Sequence, residues 1–223
     1  DMPVHCSTQM HIHNLKGVEF MKNQGVERVV LARETPIEII QQACQMGVEI
    51  EVFTYGAICI SYSGQCMMSA SVKNRSANRG MCAQCCRLKY TRVDGSHFKE
   101  GDYILSPKDL NVIDQLPLLL DAGVSSLKIE GRMKRSEYVY LVIKTFREAI
   151  DAYYANKTYH VSSERLKQLE EMFYRGFSNG HLFHDDVTLR MSQYRPNHQG
   201  IAIGKVLAYR NGRVQVKLSD DLY

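Results

Sequence analysis

The sequence predicts an α/β fold, namely part of a (β/α) barrel followed by a small β-domain. Short apolar strands alternate with amphipathic helices at a repeat of about 22–24 residues, which is typical of parallel strands joined by right-handed crossovers. No glycine-rich phosphate loop follows any strand, and this favours a barrel over an open doubly wound sheet. Near the C-terminus, two alternating segments flank Asn211-Gly212, a strong hairpin signal.

Four strand–helix units account for the predicted barrel. The strands are predicted at residues 4–6, 28–32, 49–54 and 126–129, with a further strand-like run at 103–105. The helices are predicted at residues 14–24, 35–47, 106–122 and 136–156, with glycines that end three of them. The apolar face of the second helix is predicted to carry Ile37, Ile40 and Ala43. The fourth helix has these residues at helical spacing: Tyr140, Ile143, Phe146, Arg147, Ile150 and Tyr154.

The chain divides into three predicted regions. Residues 1–160 form the partial barrel, with a cysteine-rich insertion at about 56–92. Residues 161–196 form a connector with a helix at 162–174 and a loop at 175–186, and residues 197–223 begin the β-domain. Because a barrel needs eight strands, we expect a fragment that holds the C-terminal barrel half. Its two open sheet edges would pair with the missing half or with another copy in a homo-oligomer.

Composition narrows the class of protein. The 223 residues are 44% hydrophobic and 23% charged, which excludes wholesale disorder. Seven cysteines without a signal peptide, and no apolar run near the roughly 20 residues that span a bilayer, predict a cytoplasmic protein with metal-binding thiols and no membrane partner. The net charge is only +4, but the basic residues are unevenly placed.

The most informative segment contains Cys59, Cys66, Cys82 and Cys86. From residue 52 to residue 93 there is no acidic side chain, whereas six basic ones are present: Lys73, Arg75, Arg79, Arg87, Lys89 and Arg92. Thiols in a cationic setting are expected to ionise readily, and the thiolate is the form that binds metal. The same positive field would attract an anionic small molecule or an RNA backbone. The alternative is a set of buried structural cysteines beside an unrelated basic loop.

The spacing C-x6-C-x15-C-x3-C suits a metal site. Zinc knuckles usually present C-x2-C pairs, whereas an iron–sulfur cluster tolerates varied spacing among four cysteines. The spacing therefore favours a 4Fe-4S cluster, with zinc as the alternative. Cys85 is a surplus thiol, since neighbouring residues of an extended chain point in opposite directions.

Polar residues follow each predicted strand, at the barrel face where chemistry is expected. Glu34, Glu130 and Arg132 are predicted to act on the reacting group, while Arg33 and Lys134 lie beside them without an assigned role. Predicted substrate contacts are Gln9, Tyr55, Arg75, Arg79, Arg87, Lys89 and Lys128. Structural explanations exist for several of them: Glu34 as a helix N-terminal acid, and Glu130 as an internal partner of Arg132. No cysteine is distinguished as a nucleophile with a histidine base.

Residues 51–69 resemble the signature segment of the collagenase-like peptidase family U-32, and they read EVFTYGAICISYSGQCMMS. Blocks at residues 7–9, 30–34, 78–87, 105–110, 126–132 and 175–180 resemble family blocks in the same order. The resemblance implies a TIM-like barrel followed by a small β-barrel domain. It also implies oxygen-independent hydroxylation, by an iron–sulfur protein, of tRNA wobble uridine, ribosomal RNA or a quinone precursor, and for some members a dependence on prephenate.

Carried onto this chain, the resemblance implies that the cluster ligands are Cys59, Cys66, Cys82 and Cys86. Cys85 stands where relatives often have proline, and Asn111 stands where some have cysteine. The leading hypothesis is therefore a tRNA uridine hydroxylase. A collagenase-like peptidase, metal-dependent or of the cysteine type, and an RNA-binding module without catalysis are the alternatives.

Overall fold

A computed structural model describes residues 2–156, 160–184, 186 and 190–219. Within these residues the fold is a mixed sheet covered by helices. The strands are β1 (His5–Cys6), β2 (Arg28–Val30), β3 (Glu49–Gly56), β4 (Asp109–Asn111), β5 (Ser126–Ile129), β6 (Phe177–Ser178), β7 (Gly204–Arg210) and β8 (Arg213–Leu218). The helices are α1 (Leu15–Asn23), α2 (Ile37–Cys44), α3 (Met68–Lys73), α4 (Leu116–Ala122), α5 (Ser136–Asn156) and α6 (Ser163–Met172).

The four predicted barrel strands are present and lie side by side. β1 pairs with β2, β2 with β3, and β3 with β5, all in parallel. The parallel sheet and its crossover helices are thus confirmed. The described residues form no closed barrel, and the barrel remains a prediction.

Residues 103–122 differ from the prediction. Residues 103–105 are not a strand, and the helix begins at Leu116 rather than at residue 106. Between them β4 runs antiparallel to the end of β3 and parallel to β6. The physical reason is that this segment pairs with residues far away in the sequence. The amide of Lys108 donates to the carbonyl of Arg190 (2.8 Å), and the amide of Asp109 donates to the carbonyl of Gly176 (2.9 Å). No local pattern shows such partners.

The predicted loop at 175–186 contains β6, which an ion pair attaches to β4. Arg175 donates to Asp109 through Nε at 3.2 Å and also through Nη2. Their side chains are only 7% and 4% exposed. Because removing one partner of a buried pair leaves an uncompensated charge, this contact holds β4 and β6 together.

Two hydrophobic clusters form the core. The first joins β1–β3 to α1, α2 and α4, and its buried α2 residues are the predicted Ile37, Ile40 and Ala43. The second packs α5 and α6 against the end of β3. On α5 the buried residues are Tyr138, Val142, Thr145, Phe146, Ala149 and Tyr153, while Tyr140, Ile143 and Tyr154 are exposed. Of the residues predicted at helical spacing, Phe146 is buried and Ile150 packs against the second cluster. Both faces of α5 carry apolar side chains, so helical spacing alone does not separate the buried face from the exposed one.

The hairpin predicted near the C-terminus is confirmed. β7 and β8 pair antiparallel from Gly204↔Leu218 to Arg210↔Arg213. Asn211 and Gly212 have φ of 51° and 73°, the left-handed conformation that a type I′ turn requires. Most of the hairpin side chains are exposed. A β-domain built on this hairpin remains a prediction. In the described part of the chain, every helix is too short or too polar to cross a lipid bilayer.

Candidate cysteine-lined site

The four predicted cysteine ligands surround one pocket. Cys59, Cys66, Cys82 and Cys86 all line a cavity of about 250 Å³, together with Cys85. Gln9 and Arg33, which follow β1 and β2, line the same cavity. Residues separated by up to 77 positions in the sequence, from Gln9 to Cys86, therefore meet where neighbouring parallel strands end.

Two glycines allow the backbone approaches that build this pocket. Gly56, at the end of β3, has a φ of 105°, and a Cβ there would lie 2.4 Å from the carbonyl oxygen of Glu130. Gly64 lies between Cys59 and Cys66, and a Cβ there would lie 2.2 Å from the carbonyl oxygen of Gln9. Any larger residue would push these segments apart. The cysteine-bearing turn thus rests directly on the segment that follows β1.

Polar side chains hold the cysteine backbone in place. The buried hydroxyl of Ser69 on α3 accepts a hydrogen bond from the amide of Ala83 (3.1 Å), next to Cys82. Asn78 donates to the carbonyl of Cys66 (3.3 Å), and Tyr90 donates to the carbonyl of Cys85 (2.9 Å). Because no strand or long helix passes here, these bonds replace secondary structure as the framework.

Hydrogen-bond donors reach two of the sulfurs. Nη1 of Arg33 lies 3.4 Å from Sγ of Cys59, and the amide of Gln84 lies 3.3 Å from Sγ of Cys82. Both cysteines are exposed. Each contact fixes the position of a sulfur at the rim of the pocket.

Cys86 departs from the expectation that all these thiols ionise readily. Burial raises the pKa of the Cys86 thiol, and negative charge on Cys59, Cys82 and Cys66 raises it further, while Arg87 lowers it. The sulfurs of Cys59, Cys66 and Cys82 are thus close enough to that of Cys86 to raise its pKa. A positively charged metal centre in the pocket would relieve this repulsion, because it interacts favourably with every thiolate at once.

The sulfurs do not converge on one point. Among the described residues, no three histidine, cysteine, aspartate or glutamate side chains are grouped so that they could hold a single metal ion. Four sulfurs bound to one zinc ion at about 2.3 Å would lie only about 3.8 Å apart. All four cysteines nevertheless line the same cavity.

Glu34 lies under the turn that carries Cys59 and Cys66. Its Oε1 accepts hydrogen bonds from the amide and hydroxyl of Ser63, at 3.1 and 3.4 Å. Its Oε2 lies 3.9 Å from Nδ1 of His11, and both atoms are buried without a hydrogen-bond partner among the described residues. Arg33 donates to the same Ser63 hydroxyl through its amide and Nε, at 3.2 and 3.1 Å. Ser63 therefore couples the end of β2 to the cysteine turn.

Glu130 and Arg132 reach the cysteine segment (residues 57–105) from the end of β5. The Glu130 amide donates to the carbonyl of Tyr55 (2.8 Å), and its Oε1 accepts from the amide of Arg132 (3.3 Å). The guanidinium of Arg132 lies 3.5 Å from the carbonyl oxygen of Gly80, near Cys82. The predicted alternative, an ion pair between Glu130 and Arg132, is absent from the described residues.

Three predicted substrate contacts have partners within the fold. Tyr55 is 1% exposed and packs among aromatic rings of the second cluster. Lys128 lies within β5 and pairs with Glu51 at 3.4 Å. Arg87 donates to Ser106 Oγ (2.7 Å) and to the carbonyls of Pro107 and Ile58, the latter at 3.3 Å. Burial lowers the pKa of Arg87 to about 10.

The other predicted contacts stay accessible. Arg75, Arg79 and Lys89 are exposed on the cysteine segment, and Gln9 is exposed at the pocket rim. Lys89 Nζ lies 5.8 Å from the centre of the Tyr103 ring, so its ammonium rests over an aromatic face. These residues can meet a ligand at the pocket mouth.

Sequence reasoning assigned no role to Arg33, His11 or Lys134. Arg33 contacts both Cys59 and Ser63, and its position directly before Glu34 was the available signal. His11 faces Glu34 only because of tertiary packing. Burial lowers the pKa of Lys134 to about 8, with Asp109 and Glu130 among the charges that oppose this shift.

Comparison with known proteins agrees with these features. The family model described as Peptidase family U32 matches residues 1–192. The "tRNA hydroxylation protein P1" of Bacillus subtilis is 41% identical over 181 residues, covering 77% of this chain and 43% of that protein. A "Collagenase" of Porphyromonas gingivalis is 37% identical over 226 residues, covering 92% and 54%. A 23S rRNA 5-hydroxycytidine synthase of Escherichia coli is 34% identical over 233 residues, covering 98% and 35%.

The chain spans about half the length of the curated relatives it matches. No solved structure matches the chain significantly.

Proposed function

The chain belongs to peptidase family U32, and from this membership we propose that it forms part of an iron–sulfur-dependent, oxygen-independent hydroxylase that modifies RNA, with tRNA wobble uridine as the favoured substrate. The observation that carries the proposal is the single pocket lined by Cys59, Cys66, Cys82 and Cys86. The relative named as a tRNA hydroxylation protein and the one named as a 23S rRNA 5-hydroxycytidine synthase support RNA as the substrate class. An RNA substrate of this kind would place the protein in the cytoplasm.

A 4Fe-4S cluster suits the donor set better than one zinc ion. The cavity of about 250 Å³ is lined by four candidate thiolates, and none of its described lining residues is acidic. Four cysteines are the ligand set of a 4Fe-4S cluster, and their spacing lacks the C-x2-C pairs that zinc knuckles usually present. The hydrogen bond from Arg33 to Cys59 would tune the cluster, because donors to sulfur raise its reduction potential.

The bound cluster would supply reversible one-electron redox chemistry. Glu34 and Glu130, held by Ser63 and by the amide of Arg132 respectively, would orient the target base beside the cysteine pocket. Oε2 of Glu130 accepts no hydrogen bond from the described residues, so it can take the proton that leaves the base carbon. Arg132, which lies beside Gly80 and is exposed, would hold negative charge on the substrate.

The remaining contacts would be electrostatic. Gln9, Arg75, Arg79 and Lys89 are exposed around the pocket and would meet the RNA backbone. Replacing a base C–H by C–OH removes two electrons from the base, so a reaction without dioxygen needs a co-substrate that takes up those two electrons. That co-substrate either transfers its own hydroxyl group and is reduced, or accepts the electrons while water supplies the oxygen. An anionic molecule such as prephenate would suit the same cationic surface.

The test compares Cys59→Ala and Cys82→Ala with Cys44→Ala in the full-length protein. Cys44 is half-buried in the first core cluster and is absent from the pocket lining. We expect the two pocket variants to lose iron and the visible absorption of the anaerobically purified protein, whereas Cys44→Ala keeps both. Hydroxylated nucleosides in RNA from cells that carry only a pocket variant should fall to the level of a deletion strain.

Unchanged iron content and unchanged RNA hydroxylation in both pocket variants would contradict the proposal. If the parent protein binds zinc instead of iron, and the pocket variants lose that zinc, only the iron–sulfur cluster is contradicted.

A second candidate function rests on the relative named collagenase. The described residues offer no cysteine or serine paired with a histidine base, which a peptidase nucleophile needs. Metal-loaded protein incubated with gelatin separates the two functions. Cleavage that one cysteine or glutamate substitution abolishes would establish a peptidase.

A further inference from the structure

An open pocket of about 720 Å³ lies between residues 174–177 and residues 191–202, with Lys108 at its edge. We propose that it binds one nucleotide of a single-stranded RNA, with the phosphate on Lys108 and Arg195 and the base stacked on Tyr194. The inference rests on the proposed function, because it adds a second contact for the same RNA. It is separate from the cysteine pocket, with which it shares no lining residue.

The charge of this pocket favours an anion. None of the described residues that line it is acidic, whereas Lys108, Arg175 and Arg195 are cationic. Arg175 is paired with Asp109, but the same carboxylate also faces Arg87 and Lys134. Neither Arg87 nor Lys134 lines this pocket, so its own charge comes from Lys108 and Arg195. These two cations give the pocket a net positive charge, which raises the local concentration of phosphate groups.

The two cations at the mouth are available. Lys108 lies alongside Gly176, where a Cβ would come within 3.0 Å of its Cγ and Cδ, so the aliphatic part of its side chain is held. Its ammonium makes no hydrogen bond to the described residues. The turn before Arg195 is fixed by the Ser192 hydroxyl, which donates to the Arg195 carbonyl (2.8 Å) and accepts from Gln199 (3.1 Å). Its guanidinium forms no ion pair within the described part of the chain.

Tyr194 supplies a stacking surface. Its side chain is 74% exposed. Its backbone is held by the end of the cysteine segment, because the amide of Tyr103 donates to the carbonyl of Gln193 (3.0 Å). A Cβ on Gly101 would lie 3.3 Å from Cδ1 of Tyr194, so one edge of the ring rests against this backbone. A ring fixed in this way and exposed to solvent can stack on any base.

The pocket is connected to the cysteine segment through Tyr103. Lys89 lies over the Tyr103 ring, and Tyr103 bonds to Gln193 in the pocket wall. An RNA strand whose reacting base enters the cysteine pocket would cross Lys89 before reaching Tyr194. A dicarboxylate or an acidic peptide would use the cations but not the exposed ring, so the pairing of the two favours a nucleotide.

The experiment measures binding of a short oligouridylate to full-length protein over a range of salt concentrations. Tyr194→Ala should raise the dissociation constant about tenfold, as expected for the loss of one stacked base, while Tyr194→Phe keeps the parent affinity. Arg195→Ala should weaken binding and reduce the slope of log K against log salt by about 1. Polyglutamate should compete poorly with the oligonucleotide.

The matched controls are Tyr154→Ala and Arg147→Ala, both on the exposed side of α5. If the pocket variants bind oligouridylate as these controls do, or if polyglutamate competes as well as RNA, the assignment is overturned. RNA hydroxylation is scored in parallel: normal oligouridylate binding by Tyr194→Ala with hydroxylation intact refutes only this pocket. The other informative combination is weakened oligouridylate binding by Tyr194→Ala while deletion of the protein leaves RNA hydroxylation in cells unchanged. That combination supports the pocket and refutes the proposed function.

Discussion

The parallel sheet and the cysteine segment are stabilised in different ways. Around the sheet, β1–β3 and β5 pack apolar side chains against the helices, and these contacts form the two core clusters. Between residues 57 and 105, by contrast, the buried side chains are Ile58, Ser63, Ser69 and Cys85. Burial of apolar side chains therefore stabilises the sheet, whereas the cysteine segment buries very few of them. The cysteine segment depends on hydrogen bonds and, by our proposal, on the group that its thiols bind.

This difference suits the proposed function. A segment with little core can change its contacts when it binds a cluster or RNA, because only low-stability regions reorganise without unfolding the rest. The sheet supplies a rigid edge from which Gln9, Arg33 and Glu130 are presented. The following substitutions test whether the two regions are energetically as distinct as they look, in order of decreasing expected effect.

Leu119→Ala tests the sheet region. Leu119 on α4 is 1% exposed in the first cluster, so its truncation should lower the free energy of unfolding by about 2–5 kcal/mol. Urea unfolding followed by circular dichroism measures this. The iron content of the folded variant should equal that of the parent, since no pocket residue is touched. A loss of iron in proportion to the loss of stability would show that the two regions unfold as one unit.

Ser69→Ala tests the cysteine segment. The change removes the buried acceptor of the Ala83 amide, and an unsatisfied buried donor costs about 1–3 kcal/mol. We expect this cost to appear as faster hydrogen exchange at residues 68–87 and as weaker retention of iron, with the sheet unaffected. Ser71→Ala, an exposed neighbour on the same helix, is the control. Equal exchange rates in both variants would mean that the bond does not hold the segment.

Lys134→Met should have the smallest effect, visible as a pH dependence. Burial lowers the pKa of Lys134 from 10.5 to about 8. Between these values the unfolded chain holds a proton that the folded chain lacks, so the stability of the parent rises with pH in this window. The methionine variant lacks this rise, and the stability difference between parent and variant should shift in the parent's favour from pH 8 upward.

Urea midpoints at several pH values measure that shift, with Lys144→Met on the exposed side of α5 as the control. A difference that stays constant from pH 7 to about pH 10 would exclude a depressed pKa at Lys134.

Much of the fold and the pocket was predictable from local patterns. Strands β1, β2, β3 and β5, the α2 face and the Asn211-Gly212 turn follow from periodicity, caps and turn residues, which depend on neighbours in the chain. Cys59, Cys66, Cys82 and Cys86 share a pocket, as their clustering in an acid-free segment predicted. Parallel strands end at one edge, so Gln9 and Glu34 were also expected near it.

Tertiary structure alone decided the rest. β4 pairs with β3 and β6, and Arg175 is paired with Asp109, through contacts between residues far apart in sequence. Tyr55, Arg87 and Lys128 were predicted to contact substrate, but each has a partner on another helix, loop or strand. A sequence determines which side chains can be buried, paired or ionised, because these are properties of each residue and its neighbours. Which of them actually are depends on the chain segments that packing brings beside them.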